Sequence, residues 1–280
     1  MKDVVIESGR KWLHIPWREI VEYRDLLTTM VSRDFVAKYK QTVLGPVWFV
    51  IQPLVTTLVF TLVFGKVAKI PTDALPPLLF YLCGNLAWGY FSQCFGATST
   101  TFASNASLFG KVYFPRLIVP LSKAVSGLLG LAIQMATFLV FWLYFKFFTA
   151  AGAHIHMRAT AAMLPALILL SAMVGLGAGF WMSALTAKYR DFVFISGFLS
   201  QLWMYATPVI YPLSVVPEKW RWVCALNPMT GVVELYRHAL LGTGTVTPLY
   251  LASSAATGLV LILSGILVFN RTERTFIDTV

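Results

Sequence analysis

Acidic residues are what this sequence has least of where they would matter. Twelve Asp and Glu stand against 22 Lys and Arg in 280 residues, and none of the twelve falls inside a long apolar run. A carrier driven by protons or sodium ions needs an intramembrane carboxylate to hold its ion, so the common secondary-transport mechanisms lose their main residue type. Asp73, Asp191, Glu218 and Glu234 are solitary, and His14, His154, His156 and His238 supply no ligand set. Neither the paired carboxylates nor the metal cluster of a membrane enzyme is therefore in view. A phosphate-cradling loop is missing as well: Gly65-Lys66 and Gly110-Lys111 lack the upstream glycine and the following hydroxyl residue. Any nucleotide must be hydrolysed by a partner, which would also hold the ATP and magnesium; this chain is expected to carry no cofactor, no metal and no catalytic residue. Cys83, Cys94 and Cys224 have neither disulfide nor zinc spacing and read as packing residues. Residues 1 to 32 carry charges throughout without an apolar core, so no cleavable signal peptide is visible and the first span is expected to direct insertion.

What the chain has in quantity is apolar surface. With 58% hydrophobic and 12% charged residues it cannot be covered by a soluble exterior, and it reads as an integral membrane protein. The formal charge of +10 does not indicate nucleic acid, because the basic residues sit between apolar runs and not on one soluble face. Stretches of about 20 apolar residues, enough for a hydrocarbon core of about 30 Å, recur near 46–65, 78–100, 117–147, 161–187, 192–212 and 249–269. In the third, Pro115, Pro120 and Lys123 place the beginning at the interface and leave Leu128 to Phe148 to span. The predicted organisation is all-α, with a cytoplasmic interface segment (1–45), one six-span domain (46–269) and a cytoplasmic tail (270–280).

Basic residues set the orientation. The segments before the first span, after the second, fourth and sixth, and at the start of the third hold 15 of the 22, which places both termini in the cytoplasm. On the opposite side only 213–248 is long; it is too polar to span and too apolar for an ordinary loop, and it reads as short helices dipping into the outer leaflet. Before the first span, Ile20, Tyr23, Leu27, Met30 and Val31 fall on one helical face while Arg18, Glu22, Asp25 and Arg33 lie elsewhere, the pattern of a helix in the membrane interface. Gly45 permits a sharp turn after it and Pro46 suits the first turn of the next helix. Pro53, with Gln52 beside it, predicts a kinked span facing protein or a cavity.

Two connections on the basic side have the character of docking elements. In "SNASLFGKVYFPR", Ser104 or Asn105 can cap a short helix, Leu108, Phe109 and Val112 form an apolar face, and Pro115 ends it. The other, "TAKYRDF", offers Arg190 and Asp191 for pairing. Arg33, Lys38 and Lys40 could attract a lipid pyrophosphate, although a positive-inside cluster looks the same. Trp48, Phe49, Tyr81, Trp88, Trp203 and Tyr205 offer rings along which sugar C–H faces could slide, although an aromatic belt is expected at any bilayer interface. Ser171, Gly175, Gly179 and Ser183 recur every four residues, a stripe expected to pack against helices of the same subunit.

The runs "YKQTVLGPVWFVIQPL", "FYLCGNLAWGYFS", "NASLFGKVYFPR", "KYRDF" and "YATPVIYPLSVVPEKWRWVCALNPMTGVVELYRHALLG" resemble, in that order and over nearly the whole chain, the membrane subunit of type-2 ABC exporters for bacterial polysaccharides. The resemblance implies export of O-antigen, capsule or teichoic acid polymers carried on undecaprenyl pyrophosphate or a related lipid. It also implies a homodimer of six-span subunits with two ATPase subunits in the bacterial inner membrane, and no nucleic-acid partner. By the same resemblance the N-terminal helix and the 104–114 loop contact the ATPase; the residues expected at that contact are Asn105, Leu108, Phe109, Lys111, Val112, Phe114, Pro115 and Arg116, and Tyr189, Arg190 and Asp191 of the other connection. Leu44 and Gly45 lie near the entrance for lipid-linked glycan, together with Arg33, Lys38 and Lys40. The segment carrying Asn227, Pro228, Met229, Glu234 and Arg237 gates the external side. A drug or small-lipid exporter of the same architecture is the alternative, with an ion-coupled transporter or membrane enzyme well behind.

Overall fold

The computed structural model describes residues 17–40, 44–112, 114–245 and 247–277. Its regular structure is helical throughout: α1 (Trp17–Glu22), α2 (Arg24–Tyr39), α3 (Trp48–Phe60), α4 (Pro77–Ser99), α5 (Thr101–Phe109), α6 (Ile118–Phe148), α7 (Leu164–Lys188), α8 (Phe192–Ala206), α9 (Glu218–Leu226), α10 (Pro228–Leu241) and α11 (Pro248–Ile277). Among the described residues four helical stretches are long and apolar enough to cross a membrane: Gly45–Val67, Ile118–Phe148, Ala159–Lys188 and Pro248–Glu273. Two of the six expected spans differ from these. α4 has the length, 23 residues or about 34 Å, but carries Asn85, Ser92 and Gln93 and is buried along most of its surface. α8 is only 15 residues, about 22 Å. The third expected span is a single helix from Ile118, because Pro120 falls in its first turn, where a missing N–H breaks no bond.

α4 is the axis of the fold, with α3, α6, α7, α8 and α10 packed around it. Close approach to α7 depends on the small-residue stripe: a Cβ on Gly175 would stand 2.8 Å from Cys94 Cβ, and one on Gly179 would stand 2.6 Å from Thr98 Cβ. The stripe therefore packs inside the subunit, as its spacing predicts. Gly177, on another face of α7, admits the backbone of α11 just as closely, 2.6 Å from the Ile262 nitrogen. Hydrogen bonds tie α4 to α7, α6 and α3. Thr186 donates to the Ser99 carbonyl at 2.6 Å, Tyr90 to the Ala124 carbonyl at 3.2 Å, and Asn85 to the Thr57 hydroxyl at 3.1 Å.

α3 is held differently. Gly45 takes φ +50, the left-handed conformation that suits glycine, and Pro46 sits in a short 3-10 turn leading into the helix. Only 11% of the most apolar window of Gly45–Val67 is buried, and Val55, Leu58 and Leu62 are about half exposed. Pro53 lines a small cavity with Phe49, Asn85 and Gln134, as expected of a proline facing protein, whereas its neighbour Gln52 is exposed. Past Phe60 the helix widens into a π turn, Thr61–Val67, which no feature of the sequence announced.

Candidate functional site

The predicted site residues collect at two opposite ends of the bundle. At the end where α2 lies, the face of Tyr23, Leu27 and Met30 is turned onto the protein: Met30 is buried and Tyr23, Leu26 and Leu27 pack against the core beside α6. The polar face includes one residue that periodicity alone would leave in water. Asp34 is buried, with Lys123 Nζ of α6 at 2.7 Å and Arg33 at 3.6 Å. Of the expected entrance residues, Arg33, Lys40 and Leu44 are exposed and Gly45 makes the turn. Lys38 lies in α2, its side chain outside the described ones.

The docking loop is built partly against expectation. α5 is broken at Asn105 (φ −122, ψ 17), whose side-chain amide donates to the Thr101 carbonyl at 2.9 Å. Phe109, expected on a presented apolar face, is buried instead. Its ring meets Phe102 at 6.0 Å and Phe114 at 5.8 Å, and the Arg116 guanidinium lies 5.0 Å from its centroid. The reason lies across the fold: Phe102 stacks on Phe269 of α11, which also contacts Phe180 of α7, so an aromatic column extends from the loop into the bundle and Phe109 caps it. Val112 and Lys111 stay exposed, Leu108 is half-buried, and Phe114, Pro115 and Arg116 are buried. Arg116 donates to the Glu273 carbonyl at 2.8 Å and has the Glu273 carboxylate at 3.7 Å. Burial pulls the Arg116 guanidinium below its ordinary pKa and Glu273 pushes it back up. Tyr189, Arg190 and Asp191 are all exposed at this end.

The aromatic candidates divide. Tyr81 and Trp88 are core side chains, Tyr81 among Phe60 and Phe80 and Trp88 against Phe91, so neither lines a surface of the chain; their place on the central helix explains why. Trp48 and Tyr205 are exposed, Phe49 lies beside Gly130, and Trp203 is half-buried against Phe91 and Phe95.

At the far end, Asn227 ties three elements together. Its carbonyl oxygen caps α10 by accepting from the Met229 N–H at 3.0 Å and also accepts from Trp203 Nε1 at 3.0 Å. Its amide donates to Thr207 at 2.8 Å. About two turns into α10, Glu234 and Arg237 form an ion pair at 3.0 Å with side chains 3% and 1% exposed. Glu234 is thus not solitary, because three residues along a helix bring it onto the face of Arg237. The guanidinium donates further to the carbonyls of Val209 (2.6 Å) and Tyr211 (3.3 Å) and lies 3.8 Å from the Phe80 centroid. Glu234 accepts in turn from the Thr245 N–H at 2.9 Å. Pro228 and Met229 are buried beside them. The sequence signal available was the i, i+3 spacing of opposite charges. Among the described residues no group of three acidic, histidine or cysteine side chains is placed to hold a metal ion.

Set against known proteins, residues 25–241 match the ABC-2 type transporter family. The chain is 26% identical over 265 residues to an O-antigen export system permease protein of Myxococcus xanthus, covering 94% of this chain and 98% of the relative. Two permease proteins of O-antigen export systems from Klebsiella pneumoniae are 24% and 23% identical, each covering 91% of this chain and 94% of the relative.

Proposed function

The chain belongs to the ABC-2 type transporter family, and from that premise we propose that it is the permease of an ATP-driven exporter moving lipid-linked polysaccharide of the O-antigen or capsule type out of the cytoplasm. The observation that carries this is the extent of the likeness: more than nine-tenths of the chain aligns with more than nine-tenths of permeases named for O-antigen export.

In this reading two copies of the chain bind two ATPase subunits in the bacterial inner membrane, with both termini cytoplasmic. The four long apolar helices cross fully, and α4 and α8 complete six crossings where protein covers the polar residues of the one and α9 and α10 extend the short reach of the other. α2 lies at the inner interface with its polar face to the cytoplasm, and α9 with α10 forms the external gate as short helices within the outer leaflet. The ATPase grips the exposed part of the docking loop, Ser107, Lys111 and Val112, together with Tyr189 to Asp191. Deleting the gene should strip the glycan from the cell surface while its lipid-linked form accumulates on the cytoplasmic face, and a plasmid copy should reverse both. Unchanged surface glycan in the deletion strain would sink the assignment.

A further inference from the structure

A cavity of about 500 Å³ opens between the entrance helix, the core and the docking loop. Asp34 comes to its wall from α2, Gln93 from α4, Lys123 and Ser126 from α6, and Ser104 and Asn105 from α5. Three elements with separate expected roles thus share one polar space.

The chemistry of that wall selects among ligands. Asp34 and Lys123 neutralise one another at 2.7 Å, so an anion brought here meets a buried carboxylate and a cation meets the ammonium. Around the pair stand two amides, Gln93 and Asn105, and three hydroxyls, Thr100, Ser104 and Ser126, groups that both donate and accept. Among the described residues no aromatic or large aliphatic side chain lines the space. Gln93 is held close to α6, where a Cβ on Gly127 would stand 3.0 Å from its Nε2. Asn105 stands at the break in α5. A neutral ligand bearing several hydroxyl groups satisfies such a wall; phosphate and alkyl chains do not.

Building on the exporter reading above, we infer that this cavity is a subsite for a neutral sugar unit of the glycan, and that its occupancy is read through Ser104 and Asn105 by the docking loop, so that ATP hydrolysis speeds up when the subsite is filled. The wall is shared between the segment that admits the glycan and the segment that meets the ATPase, so a sugar seated there touches both.

The test uses the complex of this chain with its ATPase in proteoliposomes. The titrant is the lipid-linked glycan extracted from the cells that make it, and the control is the same lipid pyrophosphate without sugar. Glycan transport and ATPase rate are both followed. Glycan should stimulate the wild-type ATPase and the bare lipid should do so far less. Gln93→Leu removes hydrogen bonds at nearly constant volume and Ala97→Phe fills the space; each should raise the half-stimulating glycan concentration about tenfold, the scale of one or two neutral hydrogen bonds. Ser126→Ala, the mildest change, should raise it less and covers the case in which a bulkier variant fails to assemble. Wild-type half-stimulation in all assembled variants would overturn the subsite. Equal stimulation by bare lipid, with equal loss in Gln93→Leu, would assign the cavity to phosphate and overturn it too. Absence of any glycan transport by the wild type would instead defeat the exporter reading on which the subsite rests.

Discussion

Replacing Arg237 by Met tests the hub at the far end of the bundle most directly. The guanidinium is 1% exposed and its removal ends four contacts: Glu234 at 3.0 Å, the carbonyls of Val209 and Tyr211, and the Phe80 ring. Glu234 would then be left at 3% exposure with the Thr245 N–H as its described hydrogen bond. Breaking a buried pair from one side costs about 3–5 kcal/mol, largely because the abandoned charge stays buried. That is a factor of about a hundred to several thousand in the folded-to-unfolded ratio. Glu234→Gln leaves the guanidinium with two carbonyls and a ring and should cost less, about 1–3 kcal/mol. The double variant carries no stranded charge, so it should be more stable than the sum of the singles by about 2 kcal/mol. Unfolding by SDS in mixed micelles, followed by tryptophan fluorescence, gives all four corners of the cycle. Additivity within about 0.5 kcal/mol would refute the account, since it would mean that the two side chains do not depend on one another in the folded protein.

Gly179→Leu should separate α4 from α7, where a Cβ already falls 2.6 Å from Thr98, and cost at least the 1–3 kcal/mol typical of overpacking; an unchanged melting curve in detergent would remove the stripe from the packing argument. Single cysteines replacing Ala68 or His154, both exposed, should label from outside intact cells once Cys224 is changed to Ser, whereas those replacing Ser107 or Tyr189 should not; external labelling at 107 would invert the topology. Phe109→Ala and Val112→Asp should both stop export for different reasons. The first should lower stability by about 3–5 kcal/mol by emptying a buried ring site, whereas the second should leave stability within about 0.5 kcal/mol and release the ATPase during purification. A Val112→Asp protein that keeps its ATPase at the wild-type ratio would move the docking contact elsewhere.

Elements whose cause is local were legible in advance. The turn at Gly45 and the four long apolar helices follow from residues within one or two turns of each other, whereas α5 ends at Phe109, ahead of Val112 and of the Pro115 expected to stop it. The small-residue stripe on α7 was legible as well, because spacing every four residues requires a close neighbour whichever helix supplies it. α4 and α8 were harder. Apolar character marks a helix for the membrane, but α4 tolerates Asn85 and Gln93 because other helices cover it, and α8 ends at Ala206, where the buried Thr207 takes an extended conformation and accepts from Asn227, a residue 20 positions on.

Phe109, expected on a presented face, and Asp34, on the otherwise polar face of α2, are both buried for one physical reason. Helical periodicity says which side chains lie together on a face; it does not say what covers that face. Phe109 shares a face with Leu108 and Val112 at the level of spacing, yet Phe269, some 160 residues later, completes the column that draws it inward through Phe102. Asp34 belongs to the charged side of α2 in sequence, yet Lys123 lies 2.7 Å away and makes burial tolerable. In both cases a partner remote in the chain reverses an assignment that local pattern makes plausible, and in both the reversal happens where the docking loop or the entrance helix joins the bundle. In the exporter proposed above, force from a partner ATPase would enter the membrane subunit through such joints. On that proposal the buried Phe109 and Asp34 would be the fixed ends of a lever, and the exposed Val112 and Lys111 the surface that is pushed.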